Sequence, residues 1–164
     1  MQTTAVKKRH QDADVVVVGT GGGALTAAMM AHDNGARVVV VEKGDKVGGT
    51  TAISGGGIWI PLNDHMAEVG ATDSREDALT YCKFMTDGKA PDKMVEAFVD
   101  AGHEMVRYLE QHTPLKMKAT HMPDYHAEQP GGRTCGPVWM QIMTFGYLAG
   151  IHAAEEARAA RETS

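Results

Sequence analysis

Four consecutive valines, Val15–Val18, run straight into Gly19-Thr-Gly21-Gly-Gly-Ala24, and this junction constrains the fold more than any other feature of the chain. Four apolar residues in a row leave no polar face for water, so the run reads as a buried strand. The glycines match G-x-G-x-x-G/A directly after that strand and at the head of an Ala- and Met-rich segment. Each position has a physical task. Gly19 allows the tight turn out of the strand, Gly21 lets backbone touch a pyrophosphate, and Ala24 is small enough for close helix–strand packing. Gly22 and Gly23 fall at the helix start, where unpaired N–H groups and the positive end of the dipole favour phosphate.

The next segments extend the pattern. Residues 22 to about 34 are predicted helical, with Asn34-Gly35 as the C-terminal stop. Arg37-Val-Val-Val-Val-Glu42 is a second all-apolar strand. Two such strands joined by one helix predict a right-handed βαβ crossover in a parallel sheet, hence an α/β, Rossmann-like unit. Glu42 ends the second strand, where an acidic group accepts hydrogen bonds from an adenosine ribose. Lys43 follows, but the carboxylate argues against a 2′-phosphate. Glycines serving only a turn would need neither the helix nor the acid in register.

Nineteen glycines in 164 residues exceed the usual ~7%, and they cluster. The second cluster, Gly48-Gly49-Thr50-Thr51-Ala-Ile-Ser54-Gly55-Gly56-Gly57, follows Glu42 at a point where nicotinamide folds usually proceed to further βα units. A loop of hydroxyls alternating with glycines suits a longer ligand, which favours FAD over NAD. Residues 12–61 are therefore predicted to form an FAD-binding βαβ unit plus loop. The candidate cofactor-binding residues are Gly19, Gly21, Gly22, Gly23, Ala24, Glu42, Lys43, Gly48, Gly49, Thr50, Thr51, Ser54, Gly55 and Gly56.

Further on, Ile58-Trp-Ile-Pro61 is predicted to be a short extended piece, and residues 74–112 are predicted helical. Ser74 and Asp77 resemble a helix-start cap, Pro91 fits the first turn of a second helix, and a third holds Met105, Val106, Tyr108 and Leu109. Residues 113–140 are predicted to be mostly loop. Residues 141–161 are predicted to form a final helix with Ile142, Phe145, Leu148 and Ile151 on one stripe. The length fits one domain.

Composition excludes other classes. A net charge of −5 disfavours nucleic acid, since phosphate backbones need a basic face. The longest apolar runs are too short to span a bilayer. Cys82 and Cys135 are isolated, and the scattered histidines have no Cys or Glu at ligand spacing, so no metal site is expected. The polar opening, with Lys7, Lys8 and Arg9, leads to a cytoplasmic expectation.

Taken together, the runs from Asp14 to Ala24, Val-Glu42-Lys and Val-Gly-Gly49-Thr-Thr-Ala-Ile-Ser54-Gly-Gly-Gly-Ile-Trp-Ile-Pro61 resemble flavoproteins of the fumarate reductase and 3-ketosteroid dehydrogenase superfamily. The Gly-Gly-Gly-Ile-Trp-Ile-Pro-Leu-Asn run is most like the ketosteroid dehydrogenase branch. Thr113-Pro-Leu-Lys, Pro123-Asp-Tyr125-His and Pro130-Gly-Gly132-Arg are similar to it too. Residues 144–150 look like the family's terminal helix, whose start approaches the flavin; a helix that pads a core is the alternative. Between Arg133 and Thr144 the resemblance implies a long missing middle, so the family fold is incomplete here.

What the resemblance implies is flavin-dependent removal of hydrogens from adjacent ring carbons of a ketosteroid. Tyr125 falls where the family places a tyrosine that supports the proton-abstracting base; a half-packed loop aromatic is the other reading. Most catalytic residues of the family lie in the missing stretch. Three readings follow: an FAD-dependent oxidoreductase acting on a hydrophobic ketone, a truncated FAD-binding module or partner subunit without its own catalysis, and a plain NAD-binding scaffold. Whichever holds, a two-stranded parallel sheet invites self-association or a partner chain at its edges.

Overall fold

The structure, a computed structural model, describes residues 12–134, 155 and 157–161. Strand β1 (Val15–Val18), helix α1 (Gly22–Asp33) and strand β2 (Val38–Val41) come first, then helices α2 (Arg75–Thr86) and α3 (Asp92–His112). The strands are parallel, with Val15 opposite Val38 and Val18 opposite Val41. The βαβ expectation is met. Asn34 caps α1, and Gly35 takes a φ of +88°, which glycine adopts without strain.

The expectation that both strands are buried needs correcting. Val15 and Val38 pack with Ala31 and Ala36 under α1. Val16 and Val18, on the other face, are 60% and 80% exposed, and Val40 and Val41 are exposed as well. Side chains alternate across a strand, so one covering helix buries only one face. Among the described residues nothing lies over the other.

The larger core lies beyond the sheet. Ile58 and Ile60 are buried against Ala78 and Cys82 of α2, and against Val95, Phe98, Val99, Met105, Val106 and Leu109 of α3, with Met30 of α1 joining them. Each Val, Leu, Ile, Phe or Met among them is worth roughly 1.5–3 kcal/mol when fully buried. Residues 58–60 form neither helix nor strand and Pro61 begins a turn; with Ile58 and Ile60 buried, they act as an apolar spine. The Tyr108 hydroxyl donates to Asp33 at 2.7 Å, tying α3 to α1.

Several elements differ from the sequence expectation. The two helices expected after Pro91 are one, because Gly102 lies buried on the packed face of α3 and does not interrupt it. Pro91 caps this helix from just outside and is not in its first turn. The second glycine loop contains a 3-10 turn, Gly49–Ile53, and a further one, Asp64–Val69, was not anticipated. Ser74 does cap α2: its hydroxyl accepts from the Asp77 amide at 3.0 Å. Residues 113–134 contain no helix or strand.

Residues 155 and 157–161 are helical, in keeping with the end of the expected final helix. Arg161 binds Asp14 and the Gly35 carbonyl, at 3.0 and 3.1 Å, beside the β-strands. The rest of that helix, including residues 144–150, and the loop end at 135–140 lie outside the described residues. Among the described residues no helix is long and apolar enough to cross a membrane.

Candidate cofactor site

The site forms where β1 and β2 end and α1 begins. Gly19 adopts a φ of +94°, strained for any residue with a Cβ, and its amide donates to the Val41 carbonyl at 2.7 Å. This turn directs the chain from β1 into α1. The helix starts on Gly21, which has no capping side chain, and its first turn carries no acidic residue. The protein's own charges therefore leave the positive end of α1 unneutralised, as a phosphate site requires.

The second glycine loop folds back onto the first. A Cβ on Gly49 would stand 3.5 Å from the Gly21 Cα, so the two loops meet backbone to backbone. The Thr51 hydroxyl accepts from the Gly22 amide at 2.9 Å. Thr20, only 5% exposed, donates its hydroxyl proton to Glu42 Oε2 and accepts from the Gly48 amide at 2.9 Å. The other Glu42 oxygen accepts from the Gly44 amide at 2.8 Å. The Gly44 amide first, then the Thr20 hydroxyl, hold the Glu42 carboxyl below its ordinary range. Glu42 is an exposed carboxylate with a fixed orientation.

Most of the expected residues thus converge. Gly19, Gly21, Gly22, Glu42, Gly48, Gly49 and Thr51 cluster where the strands end; Gly23 is buried and Ala24 half-buried in the first turn of α1. Lys43, Thr50, Ser54, Gly55 and Gly56 lie exposed along the loop. Ser54 stiffens that loop itself, donating to the Thr51 carbonyl at 2.9 Å and accepting from the Gly56 amide at 3.2 Å.

Tyr125 sits elsewhere, 73% exposed on the turn after Asp124. In the bonds that hold this turn, Asp124 accepts from Trp59 Nε1 and the His126 amide donates to the Tyr81 hydroxyl. They belong to the helical core and not to the glycine loops. Sequence reading passed over Thr20. A hydroxyl between the first two motif glycines, with an acid at the next strand end, was the available signal.

The donor set fits the adenosine diphosphate half of FAD: a carboxylate for a ribose diol, a helix start with no acidic residue in its first turn, and glycine backbone beside it. Comparison with known proteins agrees. The family described as the FAD binding domain matches residues 14–159. The chain belongs to that family, and its cofactor is FAD.

The 3-oxosteroid 1-dehydrogenase of Mycobacterium tuberculosis is 42% identical over 127 residues, covering 77% of this chain and 23% of that protein. The 4-oxocyclohexanecarboxylate 2-dehydrogenase of Sinomonas cyclohexanicum is 43% identical over 129 residues, covering 76% and 22%. A 3-ketosteroid delta1-dehydrogenase from Sterolibacterium denitrificans, solved with 1,4-androstadiene-3,17-dione, superposes with a TM-score of 0.69 at 40% identity, over 77% of this chain and 22% of that one. The chain spans less than a quarter of the length of these relatives.

Proposed function

We propose that this chain is the FAD-binding part of a flavin-dependent dehydrogenase that introduces a double bond next to the carbonyl of a cyclic ketone, a 3-ketosteroid foremost. The observation that carries this reading is the joined cradle of Gly19, Gly21, Glu42, Gly48 and Thr51. Its support comes from relatives named for an oxosteroid and for an oxocyclohexane carboxylate, which share a ring ketone.

When bound, FAD supplies the acceptor for a hydride. This chain's residues do the holding. Glu42 would receive the ribose hydroxyls, Gly21 and the start of α1, with Gly22 held by Thr51, would receive the pyrophosphate, and the loop with Thr50, Thr51, Ser54, Gly55 and Gly56 would hold the remainder of the cofactor. Gly23 and Ala24 keep α1 close to the strands, and Lys43 lines the ribose side. Tyr125 is the candidate for supporting the base that takes the proton from the second carbon.

A second reading is favoured by the bare sheet face at Val16, Val18 and Val41. On this reading the chain holds FAD as a module, and either further polypeptide or a second copy covers that face before turnover occurs.

Purified protein tests both. A yellow protein that releases FAD on denaturation, and bleaches anaerobically with a 3-ketosteroid or a 4-oxocyclohexanecarboxylate, supports dehydrogenation. A yellow protein that neither ketone bleaches supports the module. A colourless protein that takes up no added FAD sinks both. Tyr125→Phe should slow bleaching without reducing flavin content.

A further inference from the structure

We infer that Thr20 is a positioning residue for the cofactor: its hydroxyl aims Glu42 at the ribose and locks the second glycine loop onto the first. This rests on the assignment of the site to FAD and adds to it a group that touches no ligand itself. Thr20 occupies the variable place between Gly19 and Gly21, where the motif demands only that nothing obstruct the turn.

The geometry asks more of it here. One oxygen, in a nearly closed position, serves two elements at once. Its proton goes to Glu42 Oε2 and its lone pair receives the Gly48 amide at 2.9 Å. Only a group that both donates and accepts satisfies both partners, and a hydroxyl does. With the Gly44 amide on the other oxygen at 2.8 Å, the carboxylate is held from both sides while Glu42 stays exposed. So oriented, it faces solvent where the adjacent hydroxyls of a ribose would meet it. The same bond network fixes Gly48, the left-handed hinge from which residues 49–53 turn back toward Gly21.

The alternative is that Thr20 merely fills space, in which case valine, nearly identical in shape, would serve. A double-mutant cycle separates the two. FAD affinity of the whole chain is measured by quenching of flavin fluorescence in wild type, Thr20→Val, Thr20→Ser, Glu42→Gln and the Thr20→Val/Glu42→Gln double variant. Thr20→Val should weaken FAD about tenfold, the scale of a hydrogen bond to a charged group, and Thr20→Ser should recover all but about twofold. In the Glu42→Gln background the valine should cost only about twofold.

An equal loss from valine in both backgrounds, or a serine variant as weak as valine, overturns the proposal while leaving the FAD assignment standing. Wild type that binds no FAD overturns the assignment itself. A readout independent of ligand is the Glu42 carboxyl followed by NMR in the free protein: Thr20→Val should raise its titration midpoint, and an unmoved midpoint counts against the proposal. If valine prevents folding, Thr20→Ala takes its place in both measurements.

Discussion

Arg133 lies 4.5 Å over the Trp59 ring, and both side chains end on the same carboxylate, that of Asp124. Trp59 Nε1 donates to one oxygen at 2.6 Å, and Arg133 Nε to the other at 3.1 Å. Arg133, 7% exposed, also pairs with buried Asp73, which accepts the Leu62 amide at 3.1 Å. The network joins the apolar spine, the loop before α2 and the loop after α3.

Breaking this network should be costly, because removing one member leaves another charge buried without compensation. Asp124→Ala is expected to destabilise the chain by about 3–5 kcal/mol, measured by urea unfolding. Asp124→Asn should lose less, since its amide oxygen still accepts from Trp59. A loss below about 1 kcal/mol for the alanine variant would place the pair among surface-like ion pairs and contradict this. Cys82 nearby offers no reactive thiol: burial pushes it up to about 12.

His65 bridges the 3-10 turn at residues 64–69 to α3. Its Nδ1 faces Glu68 at 2.7 Å and its Nε2 faces both oxygens of Glu110 at 3.0 and 3.1 Å, an arrangement that needs a proton on each ring nitrogen. Glu68 most, then Glu110, raise its pKa above 6.5, against the opposing effect of burial. Asp64 beside it is engaged by Arg107. A raised folded pKa gives stability that is full below the unfolded value and lost as pH rises through the folded one. The stability gap between wild type and His65→Gln should therefore be widest near pH 6 and shrink toward pH 9. NMR of the imidazole should give a midpoint above 6.5, and a midpoint below it sinks the assignment.

Asp14 works in the opposite direction. It accepts from the Arg37 amide at 2.8 Å and the Arg37 guanidinium at 3.0 and 3.1 Å, with Arg161 at 3.0 Å. Led by the Arg37 side chain, these bring its pKa down to about 2 from 3.8. A depressed folded pKa stabilises above the unfolded value and is lost as pH falls through the folded one. Acid unfolding of wild type should thus include a component between about pH 4 and pH 2 that Asp14→Asn lacks. Identical acid profiles for the two proteins would exclude it.

How far the sequence carried depends on how local each determinant was. Gly19, Gly21 and Glu42 lie at fixed offsets from two valine runs, so their meeting at the strand ends is legible in the sequence. The Ser74–Asp77 cap was local too. What escaped the sequence depended on distant partners. The joining of two expected helices into α3 turns on Gly102 packing into a core built partly by Ile58 and Ile60. Arg133 gives no sign of its burial until Asp73 and Asp124 are seen beside it. The exposure of Val16 and Val18 was unreadable because a valine run reports what a strand can bury, not what the chain supplies to cover it.

Gly48 offers the sharpest test of the two-loop cradle. It holds a φ of +110°, and a Cβ there would stand 2.5 Å from the Ala52 Cβ. Alanine must relax both the dihedral and the 3-10 turn, at about 1–3 kcal/mol. The damage should stay local, since the main core of α2, α3 and Ile60 does not include this loop. Gly48→Ala is thus expected to lower the melting temperature by only a few degrees while weakening FAD about tenfold or more, because the Gly48 amide leaves Thr20 and Thr51 shifts from Gly22. Gly88→Ala is the control: it imposes a similar strain at a φ of +69° past the end of α2, outside the glycine loops, and a Cβ there meets nothing within 4 Å, so its FAD affinity should stay within about twofold of wild type. Flavin titration of both variants decides it, and Gly48→Ala binding as tightly as Gly88→Ala would mean that the second loop does not hold the cofactor.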